Sequence, residues 1–492
     1  MDRQAIPILS HRKVAANRAM HLPRCLRPGR WRGSHIHRPR LVGAYGIALH
    51  KPDNPHAPHI FVHDRGVKGR IGLTSLLTRI YMSLKATMPQ TGRPQINGAR
   101  LLEDLHALRQ FGLYKTGVHR PTFSPQDIES RHWLATRFAD AGLAADIDGI
   151  GNVFGIDKAP GRKLLIGSHS ETQSHAGWLD GAMGVIYGLE VARTLEHGID
   201  VASWADEEGH FGSFLGSRSF CGLLPEAEID GCRSRGDGTP LRIALDHAGF
   251  GGRPRALIDP GRTLGYLEAH IEQGGYLEDN KLRIGVVTAI VGSHRFRIVF
   301  EGAQNHAGTT RMAVRKDAGV ALVRFASDVY DRFPRLAGPR TVWTTGQISL
   351  DPGAPSIVPG GAEMVFQFRD TDPAVLARLT EELESLVAQA NQGPCRVRIA
   401  EFARSVPQSM DNGFQNVITQ MAEHRAPGLH VRMPSGAGHD AQVLAERVPS
   451  GMLFVPSIAG VSHHWSEDTK ADDIVLGCQV MADAAAGILA LG

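Results

Sequence analysis

Apolar and polar positions follow an α/β rhythm from about residue 98 onward. Segments 99–112 and 124–142 carry apolar residues at helical spacing, and the second begins with a Ser cap. Two short β-rich runs, 163–169 and 200–209, then lie on either side of a helical pattern that we expect to end at Gly198. This strand–helix alternation indicates an α/β layer with a largely parallel sheet.

The rhythm changes between about residues 289 and 403. Strand and helix patterns there follow one another in the order β-α-β-β-α-β, at 293–302, 316–333, 342–350, 362–370, 374–390 and 395–402. That order predicts a small ferredoxin-like domain. The α/β pattern returns after residue 404, with a strand at 451–457 and a helix-prone C-terminus. We therefore predict a catalytic domain in two pieces, 98–288 and 404–492, interrupted by an inserted domain at 289–403.

Residues 1–87 differ from the rest in charge. They hold 16 Lys and Arg against three acids, a net charge of +13, which leaves −9 for residues 88–492. We interpret them as a disordered extension, or as upstream sequence translated from an early start codon, since Met88 precedes the first convincing helix. A transit peptide or a nucleic-acid-binding arm is the alternative. The acidic remainder gives no reason to expect nucleic acid as a partner.

Composition limits the class of protein further. A chain of 492 residues with 42% hydrophobic and 21% charged residues is typical of a soluble protein with at least two domains. Neither a membrane-spanning apolar run nor a secretory layout is present, so we expect a cytoplasmic protein without a membrane partner. The five cysteines are widely spread and form no CxxC pair, which argues against disulfides and against a thiolate zinc site.

Acids and histidines fall where the predicted strands end. The candidates are His169, Asp180, Glu208 (beside Glu207), His270 and His463. Four of these five stretches lie at strand ends or in the loops that follow, where ligands cluster in open α/β sheets. Imidazole and carboxylate ligands without cysteine suit a catalytic site for zinc, manganese or a related divalent ion.

Each of these residues alone would more often be a packed or surface side chain. Their order is more specific: GSH, WLDG, DEEG and HIEQG are followed about 190 residues later by SHHWSED. This set resembles the M20-type metallohydrolases, in particular the hydantoinase/carbamoylase branch. That branch includes N-carbamoyl-L-amino-acid hydrolases, β-ureidopropionases and allantoate amidohydrolases. The segment NHAGTTRMAVRKDA, at 305–318, is the most distinctive local match.

The resemblance implies two divalent ions per subunit (Zn, Mn or Co) bridged by Asp180. One ion would be held by His169 and His270, and the other by Glu208 and His463. Glu207 would be the general base that moves a proton from water to the leaving nitrogen. The implied fold class is α/β: a mixed-sheet two-metal hydrolase domain with an inserted ferredoxin-like (βαββαβ) lid or dimerisation domain.

Substrate residues also follow from the resemblance. Gln273 would contact substrate, and Arg369 would grip the substrate carboxylate, a role suited to a guanidinium that pairs with both oxygens. His306 would reach into the site of a partner subunit and polarise the scissile carbonyl, which implies a homodimer. The glycine-rich stretch 435–441 would line the site through Gly438 and His439, although His439 could equally be structural.

Three positions depart from the family pattern. Glu171 stands where an Asp usually orients the first metal-binding His, and its longer side chain can still make that contact. Ser356 replaces a substrate-binding Asn, so it offers a hydroxyl in place of an amide. Arg311 replaces a Pro after HAGTT. These changes favour a substrate other than the best-known one, and they leave the metal ligands and Glu207 intact.

We therefore expect hydrolysis of a non-peptide C–N bond in an N-carbamoyl amino acid or related ureido acid. An N-acyl amino-acid deacylase or aminopeptidase-like enzyme is the alternative with the same chemistry. A non-catalytic, metal-binding scaffold is the alternative of a different class.

Overall fold

The structure, a computed structural model, describes residues 93–491. The predicted extension at 1–87 and Cys25 lie outside these residues. The helices are α1 (Gly98–Gln110), α2 (Pro125–Asp140), α3 (Ala182–Leu195), α4 (Leu215–Phe220), α5 (Glu226–Gly231), α6 (Leu241–His247), α7 (Tyr276–Asp279), α8 (Ala318–Arg332), α9 (Pro373–Ala390), α10 (Asn412–Arg425), α11 (Asp440–Leu444) and α12 (Ala471–Leu489).

The strands fall into one large sheet, one four-stranded sheet and two short pairs. They are β1 (Leu113–Tyr114), β2 (Gly117–Val118), β3 (Ala144–Ile147), β4 (Val153–Ile156), β5 (Lys163–His169), β6 (Ile199–Trp204), β7 (Thr263–Ile271), β8 (Ile284–Ile290), β9 (Gly292–Glu301), β10 (Asn305–His306), β11 (Val342–Asp351), β12 (Ile357–Val358), β13 (Gly361–Asp370), β14 (Arg396–Ser405), β15 (Gln408–Ser409), β16 (His430–Ser435) and β17 (Ser450–Val455).

Side-chain caps explain where several helices begin. Ser124 Oγ accepts a hydrogen bond from the backbone N–H of Asp127 at 3.3 Å, and Pro125 occupies the first turn of α2. Asp317 and Asp372 cap α8 and α9 in the same way. Such oxygens satisfy N–H groups that have no partner inside the helix, which stabilises each helix by about 1 kcal/mol.

The large sheet is mixed, with a parallel centre. Its strand order is β15-β8-β17-β7-β5-β6-β4-β3, and β16 also pairs with β8. The four central strands β6, β5, β7 and β17 run parallel to one another. Strands β3, β4, β8 and β15 add antiparallel pairings on either side. Because the central strands are parallel, their carboxyl ends share one edge of the sheet.

Helices cover this sheet because its central strands are apolar on both faces. Every residue of β5 and β6 is buried. One hydrophobic cluster joins the sheet to α1, α2, α3, α10 and α12, and another joins it to α4 and α11. The predicted α/β layer is confirmed, and the mixed sheet is that of the expected fold class.

The four-stranded sheet is antiparallel, in the order β11-β13-β9-β14. Strand β13 alternates between buried and half-buried residues, and its buried Met364, Phe366 and Phe368 pack against α8 and α9. This alternation leaves one face of the sheet for the helices and frees the other. The elements follow the predicted order β9, α8, β11, β13, α9, β14.

One predicted boundary was wrong. Helix α3 ends at Leu195, since Glu196 already adopts a positive φ of 63°. Gly198, the expected end, lies directly before β6. Within residues 93–491 no helix is long and apolar enough to cross a lipid bilayer. The four cysteines described there are free thiols: Cys221, Cys232, Cys395 and Cys478.

Candidate metal centre

Five candidate ligands meet at the edge formed by the parallel strands. His169 is the last residue of β5, His270 lies one residue before the end of β7, and Glu208 follows β6. Asp180 precedes α3, and His463 lies in the loop after β17. The parallel register brings together groups that are up to 294 residues apart in sequence.

The ligand atoms form two groups that share Asp180. Asp180 Oδ1 lies 2.9 Å from Nε2 of His270 and 3.6 Å from Nε2 of His169. Its other oxygen, Oδ2, lies 3.1 Å from Nε2 of His463, which is 3.6 Å from Glu208 Oε1. Within each group the ligand atoms lie within 4.8 Å of one another. One carboxylate therefore faces two sets of nitrogen and oxygen donors.

The donor atoms fit metal ions. Nδ1 of His169 donates to the carbonyl of Glu171 at 3.0 Å, and Nδ1 of His270 donates to that of Ile271 at 2.8 Å. These bonds leave the Nε2 lone pairs facing a carboxylate oxygen, which requires a cation or a proton between them. Glu208 Oε1 is buried without a hydrogen-bond partner, although Gln173 donates to Oε2 at 2.9 Å. A divalent cation would satisfy all of these atoms.

Backbone geometry also supports the site. Gly181 has a φ of +66°, and a Cβ there would lie 2.4 Å from the His169 ring, so the residue after Asp180 must be glycine. Gln273 and His463 adopt φ values of 58° and 54° without being glycines. Such conformations persist where surrounding contacts hold them, and they occur often at functional sites.

Electrostatics differ between the carboxylates. Burial alone would raise the pKa of Asp180, but hydrogen bonds from the three imidazoles hold it well below its usual value. Burial raises the pKa of Glu207 well above its usual value; the His169 imidazole acts against this, and the charges of Glu208, Asp440 and Asp180 add to it. Burial and the neighbouring acidic charges therefore favour the protonated form of Glu207 more than in an exposed carboxyl group.

Glu207 is held in place by a buried ion-pair network. Its Oε2 lies 3.7 Å from Nε2 of His169, and its backbone N–H donates to Glu171 Oε1 at 2.6 Å. Glu171 Oε2 in turn accepts from Arg131 at 3.1 Å, and Arg131 also pairs with Asp127 at 2.8 Å. The side chains of Arg131, Asp127 and Glu171 are fully buried.

Glu171 therefore makes a different contact from the one we expected. The carboxylate lies 3.9 Å from Nδ1 of His169, beyond hydrogen-bond distance, and the backbone carbonyl of Glu171 orients the ring. Because its side chain is longer than that of Asp, the carboxylate extends past the ring to Arg131 and to the backbone of Glu207.

A cavity of about 270 Å³ opens on the donor groups. Of the predicted substrate residues, Gln273, Arg369 and Gly438 line it. Gln273 Nε2 donates to Asp180 Oδ2 at 3.2 Å, and Arg369 Nη1 donates to the carbonyl of Gly436 at 3.0 Å. The last contact joins the four-stranded sheet to the glycine-rich stretch 435–441.

Three predicted residues lie elsewhere. His439 is 2% exposed and stands behind His270, with ring centroids 4.7 Å apart; it is not among the described residues that line the cavity. Burial and the neighbouring His270 hold its pKa well below the usual value. This favours the structural interpretation of His439. His306 and Ser356 are exposed and adjacent to each other at the β10–β12 pair, also outside the cavity lining.

Several residues at the site were missed from the sequence. Glu467 accepts from the backbone N–H of Asp180 at 3.1 Å, and burial, with the nearby Asp180 charge, raises its pKa to about 8. Asp206 accepts from three backbone N–H groups of the loop after Glu208. Arg235 and Arg295 line the cavity. The alternation SHRFR in β9 was the available signal for Arg295, because it places Arg295 opposite the buried Phe296.

Comparison with known proteins decides the family. The model of peptidase family M20/M25/M40 matches residues 169–487, which include all five candidate ligands. The chain belongs to this family. Enzymes of the M20 family are metal-dependent, in agreement with the two donor groups.

Named M20 relatives act on different small molecules. The chain is 33% identical to allantoate amidohydrolase of Escherichia coli K12, over 77% of this chain and 95% of that protein. It is 32% identical to N-carbamoyl-L-amino acid amidohydrolase of Geobacillus stearothermophilus, over 78% and 97%. An amidase of the hydantoinase/carbamoylase family from Burkholderia phymatum has 50% identity and a TM-score of 0.76, over 81% and 99%. The near-equal identities to the first two do not distinguish between their substrates.

Replacing Arg131 tests whether its buried ion pairs with Asp127 and Glu171 stabilise the protein. Arg131→Met should lower the free energy of unfolding by about 3–5 kcal/mol, because it leaves Asp127 and Glu171 buried without their cation. Arg137→Met on the same helix removes a half-buried arginine paired with Asp140 and should cost less than about 1 kcal/mol. Denaturant unfolding measures both, and equal stability of the two variants would contradict the network's role.

Proposed function

We propose that the chain is a two-metal amidohydrolase that cleaves the C–N bond of an N-carbamoyl amino acid or a related ureido acid. The observation that carries the proposal is the pair of donor groups sharing Asp180, with the non-ligand Glu207 beside them. The activities named for the relatives, on allantoate and on N-carbamoyl-L-amino acids, support the substrate class.

In this proposal His169, His270 and Asp180 hold one divalent ion, and Asp180, Glu208 and His463 hold the other. Zinc, manganese and cobalt suit these nitrogen and oxygen ligands. Bound at these donors, the ions supply Lewis-acid activation of water and of the scissile carbonyl.

Glu207 is the proton carrier of the reaction. It takes a proton from the attacking water and delivers it to the nitrogen that leaves as the C–N bond breaks. Glu207 lies beside the donor groups without belonging to either, so its carboxylate can accept the proton and then release it. Glu171 and Arg131 act through position, because Glu171 holds the backbone of Glu207. A carbamate product would break down to carbon dioxide and ammonia.

Substrate contacts are assigned to the cavity residues. Arg369 pairs with the substrate carboxylate, and Gln273 and Gly438 line the space beside the ions. His306 and Ser356 are supplied by a second copy of the chain. Gly308 and Thr309 donate backbone N–H groups to Nδ1 of His306, at 3.0 and 3.2 Å, so its proton lies on Nε2. That exposed N–H can donate to a substrate carbonyl.

A homodimer joined through the inserted segment 289–403 follows from this assignment, with 98–288 and 404–492 as the catalytic domain. In this proposal the ferredoxin-like segment acts as lid and dimerisation domain. Strand β11 is an edge strand with exposed apolar residues, including Val342 and Ile348. Such an edge favours pairing with another copy, which would also cover these side chains. A cytoplasmic location agrees with the free thiols of the described cysteines.

Glu207→Gln should abolish turnover. The expected loss is about 10²- to 10⁴-fold or more, because no other group carries the proton. The assay is ammonia release by metal-stripped protein given Zn²⁺, Mn²⁺ or Co²⁺, with N-carbamoyl amino acids, allantoate and matched N-acetyl compounds. Glu446→Gln changes an exposed carboxylate outside the cavity and should retain activity.

Two results would redirect the proposal. Release of amino acids from the N-acetyl compounds without ammonia would support the deacylase. A lack of turnover with every substrate, despite bound metal, would support the non-catalytic scaffold.

If each site is formed by two subunits, two inactive variants should complement each other. His306→Ala and Glu207→Ala chains should each be inactive, but a mixed dimer has one complete site. An equal mixture after subunit exchange should recover roughly a quarter of wild-type activity. Exchange is confirmed by capture of differently tagged chains. Recovery of no activity in confirmed mixed dimers would rule out His306 acting across the interface.

A further inference from the structure

Three arginines line the metal cavity without a carboxylate partner: Arg235, Arg295 and Arg369. Within residues 93–491 no carboxylate oxygen lies within 4.0 Å of their guanidinium nitrogens. The carboxylates that line the same cavity are Asp180, Glu207 and Glu208, all assigned to the metal centre. By contrast, Arg297 lies two residues beyond Arg295 on β9 and pairs with Glu363.

Strand register brings two of these cations together. Strand β9 turns Ser293 and Arg295 to the face opposite its buried phenylalanines. Across the β9–β13 ladder, Arg369 pairs with Ser293 and Gln367 pairs with Arg295, so the two arginines are diagonal neighbours. Diagonal neighbours are about 7–8 Å apart at Cα, and like charges on one face of a sheet destabilise it. Burial lowers the pKa of Arg369, and the charge of Arg295 lowers it further.

The third cation comes from the loop between α5 and α6. The Arg235 guanidinium lies over Gly209, where a Cβ would be 3.2 Å from Nη2. Gly209 directly follows the metal-ligand candidate Glu208, so this guanidinium lies beside the backbone that carries one of the donor residues. Its position is held by the backbone, since Arg235 N donates to the carbonyl of His210 at 2.8 Å.

The residues that line the cavity indicate which kind of ligand could bind these three arginines. The cavity lining is mostly polar. Among the described lining residues, the apolar side chains are those of Phe214, Val291 and Ala437. Ser293 Oγ is a further buried polar atom without a partner. A volume of about 270 Å³ lies just below the usual range of about 300–1,000 Å³ for drug-sized ligands, so the occupant is small. The three lining carboxylates are assigned to the metal centre, which leaves the three guanidinium groups available for a ligand.

We propose that the substrate is a dicarboxylate: a ureido derivative of a short amino dicarboxylic acid. Arg369 holds the carboxylate next to the scissile group. Arg295 and Arg235 hold the second carboxylate, at the end of the side chain. This inference rests on the proposed amidohydrolase function and narrows its substrate class.

The test compares acids with their amides, which match in size and lack the second charge. Wild-type kcat/KM should be about 10- to 100-fold higher for N-carbamoyl-L-aspartate or N-carbamoyl-L-glutamate than for the asparagine or glutamine compounds. Arg295→Gln should reduce this ratio to near one, and Arg295→Lys should restore part of it. Arg297→Gln, the matched control on the same strand, should keep the wild-type ratio.

Each outcome decides the inference. Equal kcat/KM for acids and amides in the wild type, or an unchanged ratio in folded Arg295→Gln and Arg235→Gln variants, would overturn it. Calorimetric binding of the same pairs to the metal-loaded protein separates this inference from the proposed function. Preferential binding of the diacid without turnover would uphold the assignment of the three arginines to a dicarboxylate ligand and reject the proposed function. Turnover of monocarboxylates without diacid preference would do the reverse.

Discussion

A single buried carboxylate organises the functional end of this protein. Asp180 is 2% exposed, yet the imidazoles of His169, His270 and His463 all lie within 3.6 Å of its two oxygens. These histidines come from the ends of β5 and β7 and from the loop after β17. A charge this deeply buried is costly unless it is compensated, and cations on both sides would compensate it. The parallel centre of the sheet and the glycine after Asp180 both serve this arrangement.

Further buried charges hold Glu207 next to that centre. Glu171 joins Arg131, on α2, to the backbone of Glu207, after β6, so the packing of α2 helps to determine the position of Glu207. Part of the cavity lining comes from a different sheet than the donor groups, because Arg295 and Arg369 belong to the four-stranded sheet. A site built from two sheets can keep its metal chemistry while substrate preference changes in the second sheet. This agrees with a family whose relatives act on allantoate and on N-carbamoyl amino acids.

The sequence allowed prediction of what depends on local pattern. The strand that ends at His169 was predicted from the pattern of apolar residues, and the helix start at Ser124 from its capping hydroxyl. The structure has both. The positions of Arg295, Arg235 and Glu467 could not be predicted from the sequence, because they depend on strand register or on long loops. Helix α3 ended early because Glu196 accepts a positive φ that the pattern assigned to glycine. His439 shows the same limit, since only packing reveals that it lies behind His270.

Metal content of Asp180→Ala is the most direct test of a two-ion site that shares Asp180, because Asp180 belongs to both donor groups. Metal-stripped wild type, Asp180→Ala and Glu208→Ala would be loaded with Zn²⁺, dialysed and analysed by mass spectrometry of the metal. We expect two ions per chain in the wild type, one in Glu208→Ala and fewer than one in Asp180→Ala. Two ions retained by folded Asp180→Ala would contradict this expectation.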